Sequence, residues 1–278
     1  MADFKKVWFI TGASRGFGEK ITKAALENGN AVVATARNPR DLTEKFHSPF
    51  LFPVKLDVTN EEEVKVAIQA AINKFGQIDV LVNNAGFGLL GAVEEATDDE
   101  VKKLYNTNVF GLLHVIRAAL PFMRREKSGH IINFSSLGGY RSGPGFGVYC
   151  STKFAVEGIS EALFEELKPL NIHVTVVEPG YFRTDFLDSS SLTTSKNIIS
   201  DYASTSGKVR EKAKVISHHQ PGDPDKLAGA IIELANSKNP PLRLPLGTDA
   251  IEAIEKKNKY VEEEMEKWRE LASSTNFS

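Results

Sequence analysis

The sequence predicts an α/β fold in which a doubly wound parallel sheet of about seven strands carries helices on both faces. Short β-branched or apolar runs alternate with longer amphipathic stretches from end to end, which is typical of repeated strand–helix–strand units. The runs Val80–Val82 and Val174–Val177 are almost wholly apolar, as expected for parallel strands buried on both faces. No repeat or break in composition interrupts the pattern, so residues 1–278 are predicted to form a single domain.

Between most predicted strands lies a stretch long enough for a helix. The predicted strands are Val7–Thr11, Ala31–Ala36, Leu51–Leu56, Val80–Asn83, His130–Ser135, His173–Glu178 and Leu242–Leu246. The predicted helices are Phe17–Asn28, Asn60–Phe75, Asp98–Asn106, Val109–Arg125, Tyr149–Leu167, Asp225–Asn236 and a C-terminal helix near 249–272. Gly29 and Gly76 follow the first two helices as stop signals, and Asn60 precedes three glutamates as an N-cap.

Two segments depart from this pattern. The stretch 188–223 is polar, weakly periodic and rich in Ser, Thr and Lys. We interpret it as a lid that covers the ligand, with a variable surface loop as the alternative. The charged C-terminal helix carries an apolar stripe interrupted by Asn258, and Asp249 with Glu252 forms a possible capping box. Its apolar members are Ile251, Ile254, Val261, Met265 and Trp268. Packing of this stripe on the parent domain is favoured over packing on another subunit.

Composition excludes several classes of protein. The net charge is -2 and the isoelectric point is near 6.3, which argues against a nucleic-acid-binding surface. The only cysteine, Cys150, excludes a disulfide framework and a cysteine-based metal site, and we expect a cytoplasmic protein. No apolar run has the roughly 20 residues that a membrane span requires. His218 and His219 lack further ligands nearby in sequence, so no metal site is predicted.

A glycine-rich loop joins the first strand to the first helix. Glycines in such a loop permit a tight turn and close approach to a pyrophosphate, while the helix N-terminus offers free N–H groups to the anion. The strand–loop–helix context therefore predicts a dinucleotide site of the Rossmann type rather than a plain turn. The residues in the loop expected to bind the cofactor are Gly12, Ser14, Arg15, Gly16, Phe17 and Gly18.

The end of the second strand indicates which dinucleotide is bound. An acidic residue there usually holds the ribose 2′-hydroxyl of NAD, but this chain has Arg37 and no carboxylate. Arg15 in the glycine loop adds a second guanidinium, and two guanidiniums suit a 2′-phosphate. The sequence thus favours NADP(H) over NAD(H), with two solvated surface arginines as the alternative.

A second group of candidate residues lies at the start of the predicted helix Tyr149–Leu167. Tyr149 and Lys153 are four residues apart and share one helical face. A free tyrosine has a pKa of about 10, and a neighbouring ammonium lowers the pKa and makes proton transfer easier near neutrality. Ser135 and Ser136 close the preceding strand at the sheet edge where ligands bind. Taken alone, each of these motifs also fits an ordinary surface pair or turn.

Taken together, these motifs resemble the classical short-chain dehydrogenase/reductase family, and more narrowly its 17β-hydroxysteroid-dehydrogenase-like group. They cover Val7 to about Thr184 and occur in the family's order: Thr11–Gly18, Asp57, Asn83–Gly86, Asn108, Ser136, Tyr149 with Lys153, and Pro179–Gly180 with Thr184. The family's serine stands thirteen residues before its tyrosine, which selects Ser136 over Ser135.

The resemblance implies roles for these residues. Tyr149 would be the acid/base, Lys153 would lower its pKa and bind the nicotinamide ribose, and Ser136 would orient the substrate oxygen. Asn108 would hold a water that links Lys153 to solvent; as an alternative that is compatible with this role, its amide bonds the backbone. The remaining residues implied to line the cofactor are Asp57, Val58, Asn84, Ala85, Gly86, Pro179, Gly180, Phe182 and Thr184.

The predicted activity is an NADP(H)-dependent oxidoreductase that interconverts a carbonyl and an alcohol. Apolar residues near the expected active-site loops favour a lipophilic small-molecule substrate. The resemblance also implies a homodimer or homotetramer. Two rivals remain: a non-catalytic NADP(H)-sensing module, against which the intact set of candidate catalytic residues argues, and a sugar-nucleotide epimerase or dehydratase, against which the glycine spacing and modest length argue.

Overall fold

The computed structural model describes residues 4–188, 191–216 and 219–277. Seven strands form one parallel sheet in the order β3-β2-β1-β4-β6-β7-β9, and β5 and β8 form a separate parallel pair. The strands are β1 (Val7–Ile10), β2 (Ala31–Ala36), β3 (Leu51–Lys55), β4 (Val80–Asn83), β5 (Gly88–Leu90), β6 (Gly129–Phe134), β7 (Ile172–Pro179), β8 (Leu192–Thr194) and β9 (Arg243–Leu246). The predicted fold class, a doubly wound α/β sheet in one domain, is confirmed.

Helices cover both faces of this sheet. They are α1 (Gly16–Glu27), α2 (Arg40–Thr43), α3 (Glu61–Phe75), α4 (Asp98–Tyr105), α5 (Leu112–Glu126), α6 (Leu137–Tyr140), α7 (Gly147–Leu167), α8 (Lys208–Ile216), α9 (Pro224–Asn236), α10 (Thr248–Lys267) and α11 (Arg269–Ser273). Asn60 caps α3 as predicted, because its side chain accepts from the backbone N–H groups of Glu62 and Glu63. In the described residues, no helix is both long enough and apolar enough to cross a bilayer.

Alternate residues of each central strand enter different cores. Phe9 of β1 packs in the core beneath α3, α5 and α7, whereas its neighbours Trp8 and Ile10 pack on the opposite face with Ile21 of α1 and Ile231 of α9. This two-sided burial is the physical reason for the unbroken apolar strands. It also holds the carboxyl ends of the strands rigidly at one edge of the sheet.

One predicted interruption between helices is wrong. The sequence favours separate helices over Asp98–Asn106 and Val109–Arg125, but the chain continues from α4 into α5 through a π-helical turn over Asn106–Gly111. Gly111 leaves room for close packing there, since a Cβ would lie 2.7 Å from the Val58 side chain. Such turns widen the helix locally and are frequent at functional sites.

The polar segment near 188–223 contains regular structure that the sequence pattern did not predict. Within its described part, β8 pairs with β5, and α8 follows a π-helical turn. The segment is fastened by an ion pair between Arg210 of α8 and the fully buried Glu95. Glu95 also accepts from the backbone N–H of Ile199 at 2.9 Å and of Ala92 at 2.7 Å. A segment anchored in this way differs from the variable surface loop considered as the alternative.

The C-terminal helix corrects two expectations. Most of its stripe does not pack on the parent domain, because Ile251, Val261, Met265 and Trp268 are exposed, whereas Ile254 is partly buried. The capping box is also absent, since α10 is preceded by Gly247 with no side-chain cap. Asp249 instead accepts the backbone N–H of Tyr181 at 2.7 Å, which ties the first turn of α10 to the loop after β7.

Candidate active site

The candidate site lies where the strand order of the sheet reverses. β1 and β4 are neighbours. β2 and β3 lie beyond β1 on one side, whereas β6, β7 and β9 lie beyond β4 on the other. In open α/β sheets the crevice beyond the carboxyl ends of such strands is the usual ligand site. A crevice of about 1660 Å³ opens there, and it is lined by the glycine loop, the end of β4, the start of α7 and the segment containing α8.

The glycine loop has the geometry expected of a phosphate cradle. Gly12 and Gly16 adopt φ values of +65° and +55°, which disfavour residues with a Cβ. A Cβ on Gly18 would overlap the carbonyl oxygen of Gly12, so the loop and the first turn of α1 are packed backbone to backbone. Ser14, Arg15 and the other loop residues predicted from the sequence line the crevice, except Gly18, which is buried behind them.

The end of β4 is attached to this loop by hydrogen bonds. The Asn84 amide donates to the carbonyl oxygens of Thr11 at 3.0 Å and Gly12 at 3.1 Å. The Thr11 hydroxyl in turn accepts the backbone N–H groups of Asn84 and Ala85, both at 3.0 Å. Asn84 therefore holds the loop through its side chain, while Ala85 and Gly86 line the crevice.

The two arginines expected to recognise a phosphate face the same crevice. Arg15 is partly exposed and Arg37 is exposed, and neither forms an ion pair within the described part of the chain. Asp57 and Val58 line the crevice farther along. One carboxylate oxygen of Asp57 accepts from the Thr59 hydroxyl at 2.7 Å and from the Thr59 backbone N–H at 2.9 Å.

Tyr149, Ser136 and Lys153 come together at the other end of the crevice. Ser136 lies beside the Tyr149 phenol, where its hydroxyl acts to lower the Tyr149 pKa, and both residues line the crevice. Ser136 begins α6, where its hydroxyl accepts the Gly138 backbone N–H at 3.0 Å. Lys153 is buried, donates to the Phe134 carbonyl oxygen at 2.8 Å, and has its Nζ 5.9 Å from the centre of the Tyr149 ring. The sequence-predicted trio is thus brought into one place.

Burial dominates the electrostatics of this trio. It raises the pKa of Tyr149 above its ordinary value, while the Ser136 hydroxyl beside it opposes this effect. Burial also lowers the pKa of Lys153 to about 8, although Glu157 nearby favours the charged form. The lowering of the Tyr149 pKa by Lys153 stays a prediction.

Asn108 occupies the π-helical turn and is buried. Its amide oxygen accepts the Phe87 backbone N–H at 3.1 Å, and its amide nitrogen donates to the Phe87 carbonyl at 3.0 Å and the Thr152 hydroxyl at 3.1 Å. Asn108 therefore joins the loop after β4 to the helix that carries Tyr149. This is the backbone-bonding alternative considered from the sequence.

The loop after β7 closes one side of the crevice. Pro179, Gly180, Phe182 and Thr184 all line it. Phe182 is buried and contacts Phe17 of the glycine loop edge-on, with ring centres 5.4 Å apart. This ring contact connects the loop after β7 to the glycine loop.

Sequence reasoning missed a buried charge cluster behind α7. The guanidinium of Arg243 on β9 contacts Glu157 and Glu161 of α7 and Glu178 of β7. Burial raises the pKa of Glu157 to about 7 and also raises that of Glu178, because two carboxylates are desolvated side by side. Glu157 lies one helical turn after Lys153. A charged residue at a helical position that faces the core indicates a buried partner, and this was the signal available in the sequence.

These residues fit a nicotinamide dinucleotide and do not suggest a metal. The glycine cradle, the N-terminus of α1 and the arginines without ion pairs suit a phosphorylated ligand. Among the residues that the structure describes, no group of three or more His, Cys, Asp or Glu side chains is arranged to hold a metal ion. His218 lies outside the described residues.

Comparison with known proteins agrees with this geometry. Residues 6–194 match the short chain dehydrogenase family model. The chain is 42% identical to the oxidoreductase BOA17 of Botryotinia fuckeliana over 96% of this chain and 98% of that protein. It is 40% identical to a 3-ketodihydrosphingosine reductase of Bacteroides thetaiotaomicron, over 87% of this chain and 88% of that one.

A solved structure extends this similarity to the whole fold. A short-chain dehydrogenase from Streptomyces avermitilis superposes with a TM-score of 0.91 and 39% identity, covering 98% of this chain and 99% of its own. The narrower resemblance to the 17β-hydroxysteroid-dehydrogenase-like group stays a prediction. The glycine cradle, the crevice at the strand reversal and these matches together assign the chain to the short-chain dehydrogenase family of NAD(P)-dependent oxidoreductases.

Proposed function

We propose that this protein uses NADP(H) to interconvert a lipophilic ketone or aldehyde and the corresponding alcohol, with Tyr149 as the acid/base. The observation that carries the proposal is that Tyr149, Ser136 and Lys153 line one crevice, with the Lys153 Nζ 5.9 Å from the centre of the Tyr149 ring. A phenol and a neighbouring hydroxyl suit a single carbonyl oxygen. When bound, the reduced nicotinamide supplies the hydride equivalent.

Each of the chain's polar groups has a distinct task in carbonyl reduction. Ser136 donates a hydrogen bond that polarises the carbonyl, and Tyr149 gives its proton to the oxygen as negative charge develops there. Lys153, whose pKa is lowered to about 8, supplies positive charge next to the phenol and orients the nicotinamide ribose. Asn108 fixes the position of α7 relative to the loop after β4 through Thr152 and Phe87. We also propose that Asn108 holds a water that links Lys153 to solvent.

Burial raises the pKa of Tyr149, so its hydroxyl holds its proton at neutral pH and can donate it during carbonyl reduction. Oxidation needs the opposite state, in which the phenolate accepts a proton. Ligands that bring positive charge toward the phenol lower this pKa and so allow the reverse reaction.

NADP(H) is proposed over NAD(H) because Arg15 and Arg37 face the crevice without ion-pair partners among the described residues. A 2′-phosphate placed between two guanidiniums gains charge-assisted hydrogen bonds that a hydroxyl does not offer. The wider lining contributed by Asp57, Val58 and the loop after β7 is proposed to hold the rest of the cofactor.

The proposed substrate is lipophilic. Phe87, Phe146 and Phe186 line the crevice near Tyr149, and the Phe186 ring centre lies 5.5 Å from that of Tyr149. Val209 and Ile216 of α8 add apolar surface from the opposite side, so residues 191–216 are proposed to cover the substrate. The 40% identity to a 3-ketodihydrosphingosine reductase supports this substrate class. We also propose that the protein is a homodimer or homotetramer.

The Tyr149→Phe variant tests the chemistry. With NADPH and a panel of ketones and aldehydes, the wild type turns over at least one substrate, and the variant loses turnover by at least about 1000-fold because the proton donor is gone. Its affinity for NADPH, followed by fluorescence, changes little. Tyr260→Phe, an exposed tyrosine outside the crevice, is the matched control. Robust turnover by Tyr149→Phe would contradict the assigned mechanism, and an inactive wild type across the panel would favour a sensing module.

The Arg37→Ala variant tests the cofactor. We expect the affinity for NADPH to fall about tenfold or more while that for NADH changes little, because only the 2′-phosphate loses a partner. Arg40→Ala, a neighbouring exposed arginine outside the crevice, is the control. Tighter binding of NADH than NADPH by the wild type would overturn the phosphate assignment.

A further inference from the structure

Gln220 is a buried polar residue at the crevice to which the proposed chemistry gives no role. It is 1% exposed, and it lines the crevice. Its side-chain oxygen, Oε1, is shielded from solvent and has no hydrogen-bond partner among the residues that the structure describes. Buried acceptors in folded proteins are nearly always paired, because leaving one without a donor is costly. Gln220 therefore suits a donor that a bound molecule brings into the crevice.

The chain just after Gln220 is fixed to the loop after β7. The Gly222 backbone N–H donates to the Tyr181 carbonyl oxygen at 2.9 Å, and the Arg183 N–H donates to the Gly222 carbonyl oxygen at 2.9 Å. A Cβ on Gly222 would lie 2.6 Å from the Phe182 ring, so the two segments are in close contact. Gln220 is thus held two residues before a well-defined junction with this loop.

The same junction places Gln220 near the nucleotide side of the crevice. Phe182 packs against Phe17 of the glycine loop, with ring centres 5.4 Å apart. Farther along the chain, Asp225 forms an ion pair with Lys20 of α1 at 2.9 Å. Residues 220–225 therefore lead from the loop after β7 to α1, the helix whose N-terminus is proposed to face the phosphates.

The proposed chemistry requires the nicotinamide ring to lie in this part of the crevice. The phosphates are proposed to bind at the glycine loop, which follows β1, whereas the reacting carbon must approach a carbonyl held by Ser136 at the end of β6. In the sheet, β4 lies between β1 and β6, and β7 lies beyond β6. Because the loop after β7 reaches back to the glycine loop through Phe182, it borders the interval that the nicotinamide must span.

The nicotinamide carboxamide is the donor that best fits Gln220. Phosphate oxygens are acceptors, and the reacting carbonyl oxygen is an acceptor that Tyr149 and Ser136 are proposed to bind. The adenine amino group belongs to the opposite end of the dinucleotide, on the side of Arg37 in the proposed binding mode. Lys153 of α7 is proposed to orient the ribose hydroxyls. The carboxamide N–H₂ group remains, and it carries two donors on the reacting ring itself.

We propose that the Gln220 side chain accepts a hydrogen bond from the carboxamide of the bound nicotinamide and thereby fixes the orientation of the ring. The position of the carboxamide determines which face of the ring is directed at the substrate carbonyl. The assignment rests on the proposed function of the crevice, because it takes the nicotinamide to lie between the glycine loop and Tyr149. Neither residue spacing nor the family resemblance gave Gln220 a role.

A cofactor analogue without the carboxamide N–H₂ tests this contact. In the 3-acetylpyridine analogue of NADP+, an acetyl group replaces the carboxamide, so the carbonyl is kept and both donors are lost. Gln220→Leu has a side chain of similar size and no acceptor. We expect it to reduce the preference of the protein for NADP+ over the analogue by about five- to tenfold, measured by calorimetry. Comparing both ligands in both proteins cancels the intrinsic difference between the ligands.

Two further variants and a truncated ligand separate this contact from an effect on folding. Gln220→Glu keeps an acceptor oxygen on a side chain of the same length, and we expect it to keep the wild-type preference. Gln69→Leu, which changes an exposed residue on α3 outside the crevice, is the matched control. Adenosine 2′,5′-bisphosphate lacks the nicotinamide and its ribose, so it should bind all four proteins with equal affinity.

Several outcomes would overturn the proposal. One is an unchanged preference in Gln220→Leu, and another is the same loss of preference in Gln220→Glu, since the acceptor is then irrelevant. An equal loss of affinity of Gln220→Leu for NADP+ and for its analogue would assign Gln220 to a ribose hydroxyl instead. If NAD+ is the tighter ligand, the comparison uses the corresponding analogue of NAD+, so an error in the proposed 2′-phosphate recognition leaves the result intact. A wild type that binds neither dinucleotide overturns the proposed function as well.

Discussion

The two sides of the crevice are built by different means. On the nucleotide side, the glycine loop and the end of β4 are joined through backbone groups, the Asn84 amide and the Thr11 hydroxyl. On the substrate side, residues 191–216 are held across a long sequence separation by the buried pair Glu95–Arg210 and by the short β5–β8 pairing. The first arrangement lies on the main sheet, and the second is attached to it.

Because the two sides are held differently, they should respond differently to substitutions that change charge or volume. Removing one partner of a buried ion pair leaves the other charge without compensation, which is strongly destabilising. Backbone-to-backbone packing instead tolerates changes of charge and responds to added volume. A substitution on one side of the crevice should therefore leave the stability of the other side unchanged.

Arg210→Met leaves the Glu95 carboxylate buried and unpaired. We expect the opening free energy of the amides in 199–216, measured by hydrogen exchange, to fall by about 3–5 kcal/mol. If their opening free energy is smaller than that, these amides should exchange without protection. NADPH affinity changes less than about twofold, because the nucleotide side is untouched. Lys208→Met, an exposed lysine on the same helix, is the control. A uniform loss of protection over the whole sheet would contradict the separation of the two sides.

Acid weakens the same attachment without a substitution. Arg210 and two backbone N–H groups hold the pKa of Glu95 at about 2, well below its ordinary value of 4.5. The stabilisation is therefore complete above about pH 4.5 and is lost as the pH falls toward 2. Hydrogen exchange of 199–216 should accelerate over that window in the wild type relative to Glu95→Gln. If both proteins show the same pH dependence, the pair does not hold the segment.

Gly18→Ala adds one methyl group to the nucleotide side. Because its Cβ would overlap the Gly12 carbonyl oxygen, the loop must shift, and we expect a loss of about 1–3 kcal/mol in stability. NADPH affinity, measured by calorimetry, should fall by about tenfold or more. The Gly158→Ala variant provides a control, since its Cβ has no neighbour within 4 Å. Exchange in 199–216 should not change, and acceleration there would link the two sides.

Asp249→Ala removes a contact between α10 and the loop after β7. Its carboxylate accepts the Tyr181 N–H at the loop after β7, and we expect a loss of about 1–2 kcal/mol in thermal stability. Glu252→Ala, an exposed neighbour on α10, is the control. A stability change equal to that of the control would show that the loop is held by other contacts.

Much of the fold was predictable because the signals are local. The strands of the main sheet lie within two residues of their predicted bounds, since uninterrupted apolar runs specify burial on both faces. The site residues Gly12, Asn84, Ser136, Tyr149 and Lys153 were also placed in one crevice. Their side chains follow strand ends or share a helical face, and both relations can be derived from spacing.

Other features could not be predicted from spacing. Glu95 and Arg210 are 115 residues apart, and nothing in their local sequence pairs them. The π-helical turn at Asn108 depends on bonds to Phe87 and Thr152, which lie on other elements. Spacing also does not contain the rise of the Tyr149 pKa, because burial is a property of the assembled crevice.

By itself, the sequence determined the parallel sheet, the glycine cradle and the identity of the polar groups, since each depends on residues close together in the chain. Only the tertiary structure decided how the segment 191–216 is anchored, how burial shifts the pKa of Tyr149 and Lys153, and that the stripe on α10 is left uncovered. The reason is physical: ion pairing, desolvation and helix packing depend on which distant surfaces meet, and the order of residues in one stretch does not contain that information.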